Sequence, residues 1–294
     1  MLKLKACIQI ARPHQYLKNA FIWLPLFFGY KLHDSQAVLQ TLCAFFVFCL
    51  AASAVYVLND LKDIAEDRQH PVKKSRPLAS GTLTKREATA FFVVLLCFSF
   101  SFSFILLHKK FLILMGTYIV LNIAYSMILK HLTIIDIVCV ATGFVLRIFA
   151  GGIAADVHIS HWIVIMTFLM AIFLALAKRR DDLILAENGY NTRKCLDGYS
   201  LEFVSSGIIV MASVIIVSYI LYTVSPEIVE KHGTTQLYLT SLWVILGVLR
   251  YMQITFVEQR SGSPTLILLR DYFLQAVIIL WILSCYLILY VFRN

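Results

Sequence analysis

Charged residues are scarce in this sequence of 294 residues: 15% are Asp, Glu, Lys or Arg, whereas 60% are hydrophobic. A soluble domain usually carries about 25% charged and about 45–50% apolar residues. So little charge cannot cover a water-soluble globule of this length, which excludes a soluble enzyme, a secreted disulfide scaffold and a disordered chain. One membrane-spanning helix needs about 20 apolar residues, and this chain has enough for about eight or nine. The composition therefore predicts a polytopic membrane protein.

Signatures of disulfide and zinc frameworks are also missing. The seven cysteines are odd in number, lie mostly inside apolar runs and include no C-x-x-C pair, and the histidines form no zinc-ligand pattern. Buried free cysteine behaves as a small hydrophobic residue. The N-terminus lacks the cleavage pattern of a secretory signal peptide, and residues 2–11 are predicted to form a short amphipathic stretch that leads into the first span.

Nine apolar runs predict an all-α fold of nine transmembrane helices, in which residues 1–294 form one integral-membrane domain. Two connecting segments, 59–86 and 178–202, are long and polar and hold most of the charge. The predicted spans are approximately 17–30, 36–58, 87–107, 111–129, 132–155, 160–177, 203–224, 236–257 and 272–292.

Basic residues divide unevenly between the two ends of these spans. Of the 26 Lys and Arg residues, nineteen fall on the side of the two long loops and five on the other, while Arg147 and Arg250 lie within spans. The positive-inside rule therefore predicts that both long loops are cytoplasmic. Orientation and anionic substrates account for the net charge of +9, so no nucleic acid partner is predicted.

Acidic residues gather just after the second apolar run. Three stand at spacings i, i+3 and i+7, and an asparagine lies four residues before the middle one, so a continuing helix would carry their oxygens on one face. The four residues are Asn59, Asp60, Asp63 and Asp67. Carboxylates this close repel one another unless a cation lies between them, and Mg²⁺ takes such oxygens together with substrate phosphates. The pattern favours a magnesium site over a solvated helix end whose acids pair with Lys62 and Arg68.

Cations follow the acids directly. Lys73 and Arg76 stand within ten residues of Asp67. Cations beside an acidic metal site suit a polyanionic ligand, because the metal holds one phosphate group and Lys or Arg another. The alternative is ordinary positive-inside orientation, which fully explains Lys85 and Arg86.

The pattern N-D-x-x-D-x-x-x-D, followed by H-P-x-K-x-x-R-P-L-A-S-G, resembles the first aspartate-rich motif of the UbiA-type intramembrane prenyltransferase superfamily. Further segments resemble one branch, the decaprenyl-phosphate phosphoribosyltransferases, and the resemblance runs from about residue 11 to about residue 275. These segments are 12–19, 122–130, 177–187 and 263–271. The resemblance implies nine helices around a lipid-accessible central cavity, capped by two cytosolic loops.

A second aspartate-rich motif, which the aromatic prenyltransferases carry after span six, is absent. The loop at 178–202 begins with Lys178, Arg179 and Arg180 and has no D-x-x-x-D. One acidic and one basic loop fit a diphosphate leaving group plus a second phosphate-bearing reactant better than two magnesium clusters would. Asp181, Asp182 and Glu187 nevertheless leave a second metal site open, and with it an aromatic prenyltransferase. A transporter for phosphorylated lipids or polyols is a third alternative.

Polar residues also occur within the predicted spans. Asp136 and Arg147 are 11 residues apart and share one helix face with Gly143, so they either line a cavity or take part in a structural ion-pair or hydrogen-bond partnership. Asn122, Tyr125 and Ser126 share a face of span four that leads toward Lys130.

The resemblance implies a magnesium-dependent transfer of 5-phosphoribosyl from phosphoribosyl diphosphate (PRPP) to a polyprenyl phosphate, in a bacterial inner membrane with the active site facing the cytoplasm. Asp60, Asp63 and Asp67 are the candidate catalytic residues and, with Asn59, the candidate Mg²⁺ ligands. Whether the chain forms a homo-oligomer is left open. The candidate substrate-binding residues are Lys18, Tyr56, Lys73, Arg76, Asn122, Tyr125, Lys130, Arg147, Lys178 and Arg179.

Overall fold

A computed structural model describes residues 2–69, 73–187 and 194–292, and every regular element in these ranges is helical. The all-α prediction is confirmed. The chain divides into two compact units, of which the first comprises residues 1–160 with 186–195 and the second residues 161–185 with 196–294.

The first unit contains the helices that precede residue 160. Its α-helices are α1 (Leu2–Ala11), α2 (Leu24–Phe28), α3 (Ser35–Lys62), α4 (Ile64–Gln69), α5 (Lys85–Leu106), α6 (Lys109–Met127) and α7 (Ile135–Ala155). Its 3-10 helices are Pro13–Trp23, Lys73–Ser75 and Leu129–His131. Within the predicted loop 59–86, residues 64–69 and 73–75 are therefore helical, whereas residues 76–83 form turns and bends.

Helix α3 is the centre of the first unit. Asp34 caps its N-terminus by accepting hydrogen bonds from the backbone N–H groups of Gln36 and Ala37, both at 3.1 Å. Buried residues cover much of its circumference, so α5, α6, α7 and the 13–23 helix all pack against it. Its other end lies at Lys62, which places the acidic motif where the apolar core stops.

The first predicted span, 17–30, is not one α-helix. Residues 13–23 form a 3-10 helix that begins at Pro13, and α2 follows with Pro25 in its first turn, a position where the missing N–H of proline costs nothing. A 3-10 helix rises about 2.0 Å per residue, so residues 13–28 reach about 30 Å, the thickness of a hydrocarbon core. Fewer residues therefore cover the distance than an α-helix would need.

The other eight predicted spans are confirmed among the described residues, where eight helices are long and apolar enough to cross a bilayer. Their outer faces are apolar: the side chains of Phe104 and Ile105 are each 72% exposed. Exposed apolar surface of this extent needs lipid around it. The chain is an integral membrane protein.

Helix α8 corrects the predicted boundary of the second long loop. It runs His161–Glu187, so residues 178–187 are helical rather than loop. The sequence from 161 to 187 contains neither Gly nor Pro, and charged residues such as Lys178 and Glu187 are good helix formers, so polarity alone does not end the helix. Residues 188–193 of that loop lie outside the described residues.

The second unit contains α8 up to residue 185 and the helices that follow the loop. Asp271 accepts a hydrogen bond from the N–H of Leu274 at 2.9 Å at the start of its last long helix, and pairs with Arg250 at 2.6 Å. The helices are α9 (Leu201–Val224), α10 (Pro226–His232), α11 (Ser241–Phe256), α12 (Pro264–Arg270) and α13 (Tyr272–Tyr286), with 3-10 turns at Lys194–Gly198 and Gln236–Thr240 and a π-helical turn at Leu287–Val291.

Gly151 on α7 allows the 13–23 helix to approach closely, because a β-carbon there would overlap the carbonyl of Ile22 and lie 3.1 Å from Pro25 Cδ. We expect Gly151→Ala to destabilise the protein by about 1–3 kcal/mol through overpacking. Gly116→Ala on α6 is the matched control, since a β-carbon at Gly116 meets nothing within 4 Å. Thermal unfolding in detergent measures the difference, and equal midpoints for the two variants would contradict the packing described here.

The predicted orientation can be tested at two exposed lysines, Lys74 in the first long loop and Lys231 on α10. In a background without the native cysteines, Lys74→Cys should resist a membrane-impermeant thiol reagent in intact cells, because the first loop is predicted to be cytoplasmic. Lys231→Cys should react. The reverse labelling would overturn the orientation predicted from the basic residues.

Candidate functional site

The acidic motif spans the junction of α3 and α4. Asn59 and Asp60 belong to the last turns of α3, Asp63 ends that helix, and Asp67 lies on α4. The N–H of Asp63 donates to the Asn59 carbonyl at 2.9 Å, and the N–H of Asp67 donates to the Asp63 carbonyl at 2.8 Å. Helical hydrogen bonding thus continues across the junction and keeps the predicted spacing of the motif.

Two of the acids are buried and paired with arginines. Asp60 is 2% exposed; its Oδ1 accepts from Arg12 Nη2 and, at 3.0 Å, from Arg76 Nη1. Asp67 accepts from the same Arg76 nitrogen at 2.7 Å. Burying a carboxylate without a partner is strongly unfavourable, so these pairs offset part of the cost of burying Asp60 and Asp67. The structure thus brings the predicted residue Arg76 to the motif and adds Arg12.

The other two oxygen-bearing side chains have different partners. Asn59 accepts a hydrogen bond from the Ser126 hydroxyl, and Asp63 pairs with the ammonium group of Lys130, which is buried. Ser126 lies in the last turn of α6, and Lys130 lies in the 3-10 turn Leu129–His131 that follows this helix. The motif is therefore divided into an Asn59–Asp63 pair that faces Ser126 and Lys130, and an Asp60–Asp67 pair held by arginines.

Three further predicted residues, Tyr56, Lys18 and Lys73, are partly buried. The guanidinium carbon of Arg12 lies 5.3 Å from the centre of the Tyr56 ring, a cation–π distance. Lys73 lies in the short turn that leads to Arg76, and Lys18 lies on the 13–23 helix. Burial lowers the pKa of the Arg12 guanidinium; Asp60 raises it, and the neighbouring Arg76 lowers it further. At neutral pH Arg12 remains a cation.

Arg147 is buried in a hydrogen-bond network, which favours the structural alternative for this residue. Its Nε donates to Asn19 Oδ1 at 2.8 Å, its Nη1 to the Gly143 carbonyl at 2.7 Å and its Nη2 to the Tyr118 hydroxyl at 3.1 Å. Asp136 shares its helix face but lies about 16 Å away along the axis, because a helix rises about 1.5 Å per residue. The two charges therefore do not pair with each other.

Helix α6 presents the predicted polar face. Asn122 donates to the Tyr118 carbonyl at 2.7 Å; the Ser126 hydroxyl, whose single hydrogen two acceptors share, lies 2.6 Å from the Asn122 carbonyl and also contacts Asn59. Tyr125 is partly buried. Ser126 connects this face to the acidic motif through its hydrogen bond to Asn59.

The charged end of α8, in the second unit, is mostly engaged within the protein. Arg179 is 3% exposed and pairs with Asp182 at 2.5 Å, while Arg180 donates to the Thr255 carbonyl at 2.8 Å. Asp181 lies against Gly262, where an added β-carbon would overlap its Oδ2. Lys178 is partly buried. Of the three acids of the alternative second metal site, Asp182 therefore has a cationic partner, while Glu187, the last residue of α8, is exposed.

The oxygen atoms of the acidic motif fit Mg²⁺ if a phosphorylated substrate supplies further ligands. In the parts of the chain that the structure describes, no three His, Cys, Asp or Glu side chains converge as a metal cage. Mg²⁺ usually needs only one or two carboxylates, because waters and substrate phosphates complete its octahedral shell. The amide oxygen of Asn59 and the carboxylate of Asp63 fit that description if a phosphorylated substrate is present.

The fold and the acidic motif at the end of α3 define an integral membrane enzyme. The chain belongs to the UbiA prenyltransferase family, which matches residues 21–273. It is a transferase, which excludes the transporter alternative. It is 30% identical to the decaprenyl-phosphate phosphoribosyltransferase of Corynebacterium glutamicum over 97% of this chain and 86% of the relative. It is 32% identical to the enzyme of that name from Mycolicibacterium smegmatis, over 94% and 89%.

A solved structure shows the same fold. A UbiA homolog from Archaeoglobus fulgidus bound to DMAPP and Mg²⁺ superimposes with a TM-score of 0.72 at 18% identity, covering 97% of this chain and 99% of that one. The UbiA-like fold class and the family membership predicted from the aspartate motif are both confirmed.

Asp60 should matter for stability more than Asp63, because it is buried under two guanidinium groups. We expect Asp60→Asn to lower the free energy of unfolding by about 3 kcal/mol, since it leaves Arg12 and Arg76 with only Asp67 to offset their charge. Asp63→Asn is the matched control at a more exposed carboxylate. Thermal denaturation in detergent compares them, and a larger loss for Asp63→Asn would refute the division of the motif.

Proposed function

We propose that this protein transfers 5-phosphoribosyl from PRPP to a polyprenyl phosphate of the decaprenyl type, giving polyprenylphosphoryl-5-phosphoribose and diphosphate. The observation that carries this proposal is a single acidic motif interleaved with cations: Arg12, Arg76 and Lys130 all contact it. The similarity to two decaprenyl-phosphate phosphoribosyltransferases over nearly the whole chain supports it. The proposed setting is a bacterial inner membrane, with the site facing the cytoplasm.

The donor's diphosphate would be held at the acidic motif. Asn59 and Asp63 would hold Mg²⁺, and the charge of a bound Mg²⁺ would offset that of the diphosphate leaving group. Arg76 and Lys73 bind the phosphate oxygens in this proposal, and Asp60 and Asp67 fix the Arg76 guanidinium in place. Tyr56, one turn before Asp60, is the proposed contact for the ribose.

The acceptor needs no strong general base, because a lipid phosphate is already an anion near neutral pH. Its oxygen attacks C1 from the face opposite the departing diphosphate; the new C1–O bond forms as the old one breaks, and the electron pair leaves with the diphosphate. Inversion at C1 gives a β-linked product from an α-linked donor. Lys130 and Lys178 are the proposed contacts for the lipid phosphate or the donor's 5-phosphate.

Arg147 is less suited to that task than Lys130, because it lies within α7 and donates to three protein groups, whereas Lys130 lies beside the acidic motif and pairs with Asp63. The three groups belong to Asn19, Gly143 and Tyr118. Phosphate binding would require Arg147 to exchange these partners. We therefore propose that Arg147 positions the 13–23 helix and α6 around α7 rather than binding substrate.

An aromatic prenyltransferase is the competing function, because it would share the fold and the first motif. It would need a second acidic site for its prenyl diphosphate. Asp181, Asp182 and Glu187 would have to supply that site, yet Asp182 already accepts from Arg179, and Asp181 lies against Gly262. These contacts favour the phosphoribosyl transfer.

Purified protein with Mg²⁺ should consume PRPP plus polyprenyl phosphate, and should leave a prenyl diphosphate plus a hydroxybenzoate unchanged. Asp63→Asn and Asn59→Ala should abolish turnover while the protein stays folded, because each removes a metal-facing oxygen or its charge. Asp181→Asn is the matched control and should keep both activity and the wild-type Mg²⁺ dependence.

Two results would count against this proposal. Consumption of the prenyl diphosphate with the aromatic acid would favour the competing function. A strong change in Mg²⁺ dependence in Asp181→Asn, with Asp63→Asn close to wild type, would move the metal to the second unit.

A further inference from the structure

Arg12 occupies a backbone conformation that its residue type disfavours. It links α1 to the 13–23 helix with φ 54° and ψ 60°, in the left-handed region where glycine or asparagine is usual. The conformation is held from both sides: Ser53 Oγ donates to the Ala11 carbonyl at 3.0 Å and lies 2.8 Å from the Tyr16 hydroxyl. A strained residue that its surroundings hold so firmly calls for a role of its side chain.

The side chain of Arg12 reaches the acidic motif. Its Nη2 donates to Asp60 Oδ1, the same oxygen that accepts a hydrogen bond from Arg76 Nη1. Two guanidinium groups therefore meet on a single carboxylate oxygen, although like charges repel. Asp67 supplies the second negative charge by binding Arg76.

The accessible side of this cluster is cationic. The side chains of Asp60 and Asp67 are 2% and 5% exposed, whereas those of Arg12 and Arg76 are 21% and 28% exposed. The acids lie beneath the guanidinium groups, so an approaching ligand meets the arginines first. The bonds of Arg76 to both acids use Nη1, and that of Arg12 uses Nη2, so each planar guanidinium has further N–H groups for an acceptor.

We propose that Arg12 and Arg76 together bind one phosphate group of the donor's diphosphate, and that Asp60 is the positioning carboxylate that holds the two guanidinium groups side by side. The fork of a guanidinium matches two phosphate oxygens, which an ammonium group cannot do. The identity of the donor rests on the proposed function; the recognition of a diphosphate by the two arginines does not.

The test compares two replacements of Arg12 with an exposed cation on the same N-terminal segment. Arg12→Gly removes the guanidinium and suits the left-handed backbone, and Arg12→Lys keeps the charge without the fork. Lys5→Ala on α1 is the control. Equilibrium binding of inorganic diphosphate with Mg²⁺ is measured for each variant and the wild type, alongside KM and kcat for PRPP and KM for the lipid phosphate.

We expect Arg12→Gly to bind inorganic diphosphate about ten- to a hundredfold more weakly, because it loses the charge-assisted bonds, and Arg12→Lys to fall at the lower end of that range, because it keeps the charge but loses the fork. The KM for PRPP should rise by a similar factor in each variant. The KM for the lipid phosphate and the behaviour of Lys5→Ala should stay within twofold of wild type. A purely structural role for Arg12 would not produce this split between the two substrates.

Unchanged diphosphate affinity in Arg12→Lys would overturn the proposal, even if Arg12→Gly did not fold. An equal rise in the KM values of both substrates would overturn it too. If the wild type binds inorganic diphosphate through Arg12 but does not turn over PRPP, the proposed function fails while the two-arginine site stands.

Discussion

The buried carboxylate of Asp60 ties together segments that are far apart in the chain. It lies at the end of α3, and its partners are Arg12, between α1 and the 13–23 helix, and Arg76, after the Lys73–Ser75 turn. A charge at 2% exposure is tolerated only when its partners are held in place. This one carboxylate therefore constrains three parts of the chain that supply or share its partners. They are the N-terminal segment with Arg12, the first long loop with Arg76, and Asp67, which also binds Arg76.

A second buried charge organises the same unit. Arg147 on α7 bonds to Asn19 of the 13–23 helix and to Tyr118 of α6, and its guanidinium carbon lies 5.1–5.4 Å from the ring centres of Phe48, Tyr118 and Phe144. A polar group in an apolar bundle must find partners there, so it fixes the neighbours that supply them. Arg147 holds α7 against the 13–23 helix and α6, and Asp60 holds Arg12 and Arg76 at the end of α3. Both charges therefore specify the arrangement of the first unit.

Much of the candidate site could be predicted from local spacing. Asn59, Asp60, Asp63 and Asp67 remain close because helical hydrogen bonds continue through the end of α3. Ser126 and Lys130 lie near them because the last turn of α6 carries the first and the 3-10 turn that follows it carries the second. The boundary at residue 178 was wrong because a charged stretch can extend a helix beyond a membrane as readily as it can form a loop. Arg12 was not predicted as a site residue. Its left-handed backbone conformation, which goes with its contact to Asp60, has no sequence signature when the residue is an arginine.

Composition and periodicity are local properties, and they determined the class of this protein: the membrane, the helices and the acidic motif follow from which residues stand within a few turns of one another. The pairing of that motif depends on contacts across long stretches of chain. Asp60 meets Arg12 over 48 positions, and Asp63 meets Lys130 over 67. Which acid receives which cation was decided by the packing of α3 against α6 and the N-terminal segment. Only the tertiary structure could therefore separate the two carboxylates that hold arginines from Asn59 and Asp63, whose partners are Ser126 and Lys130.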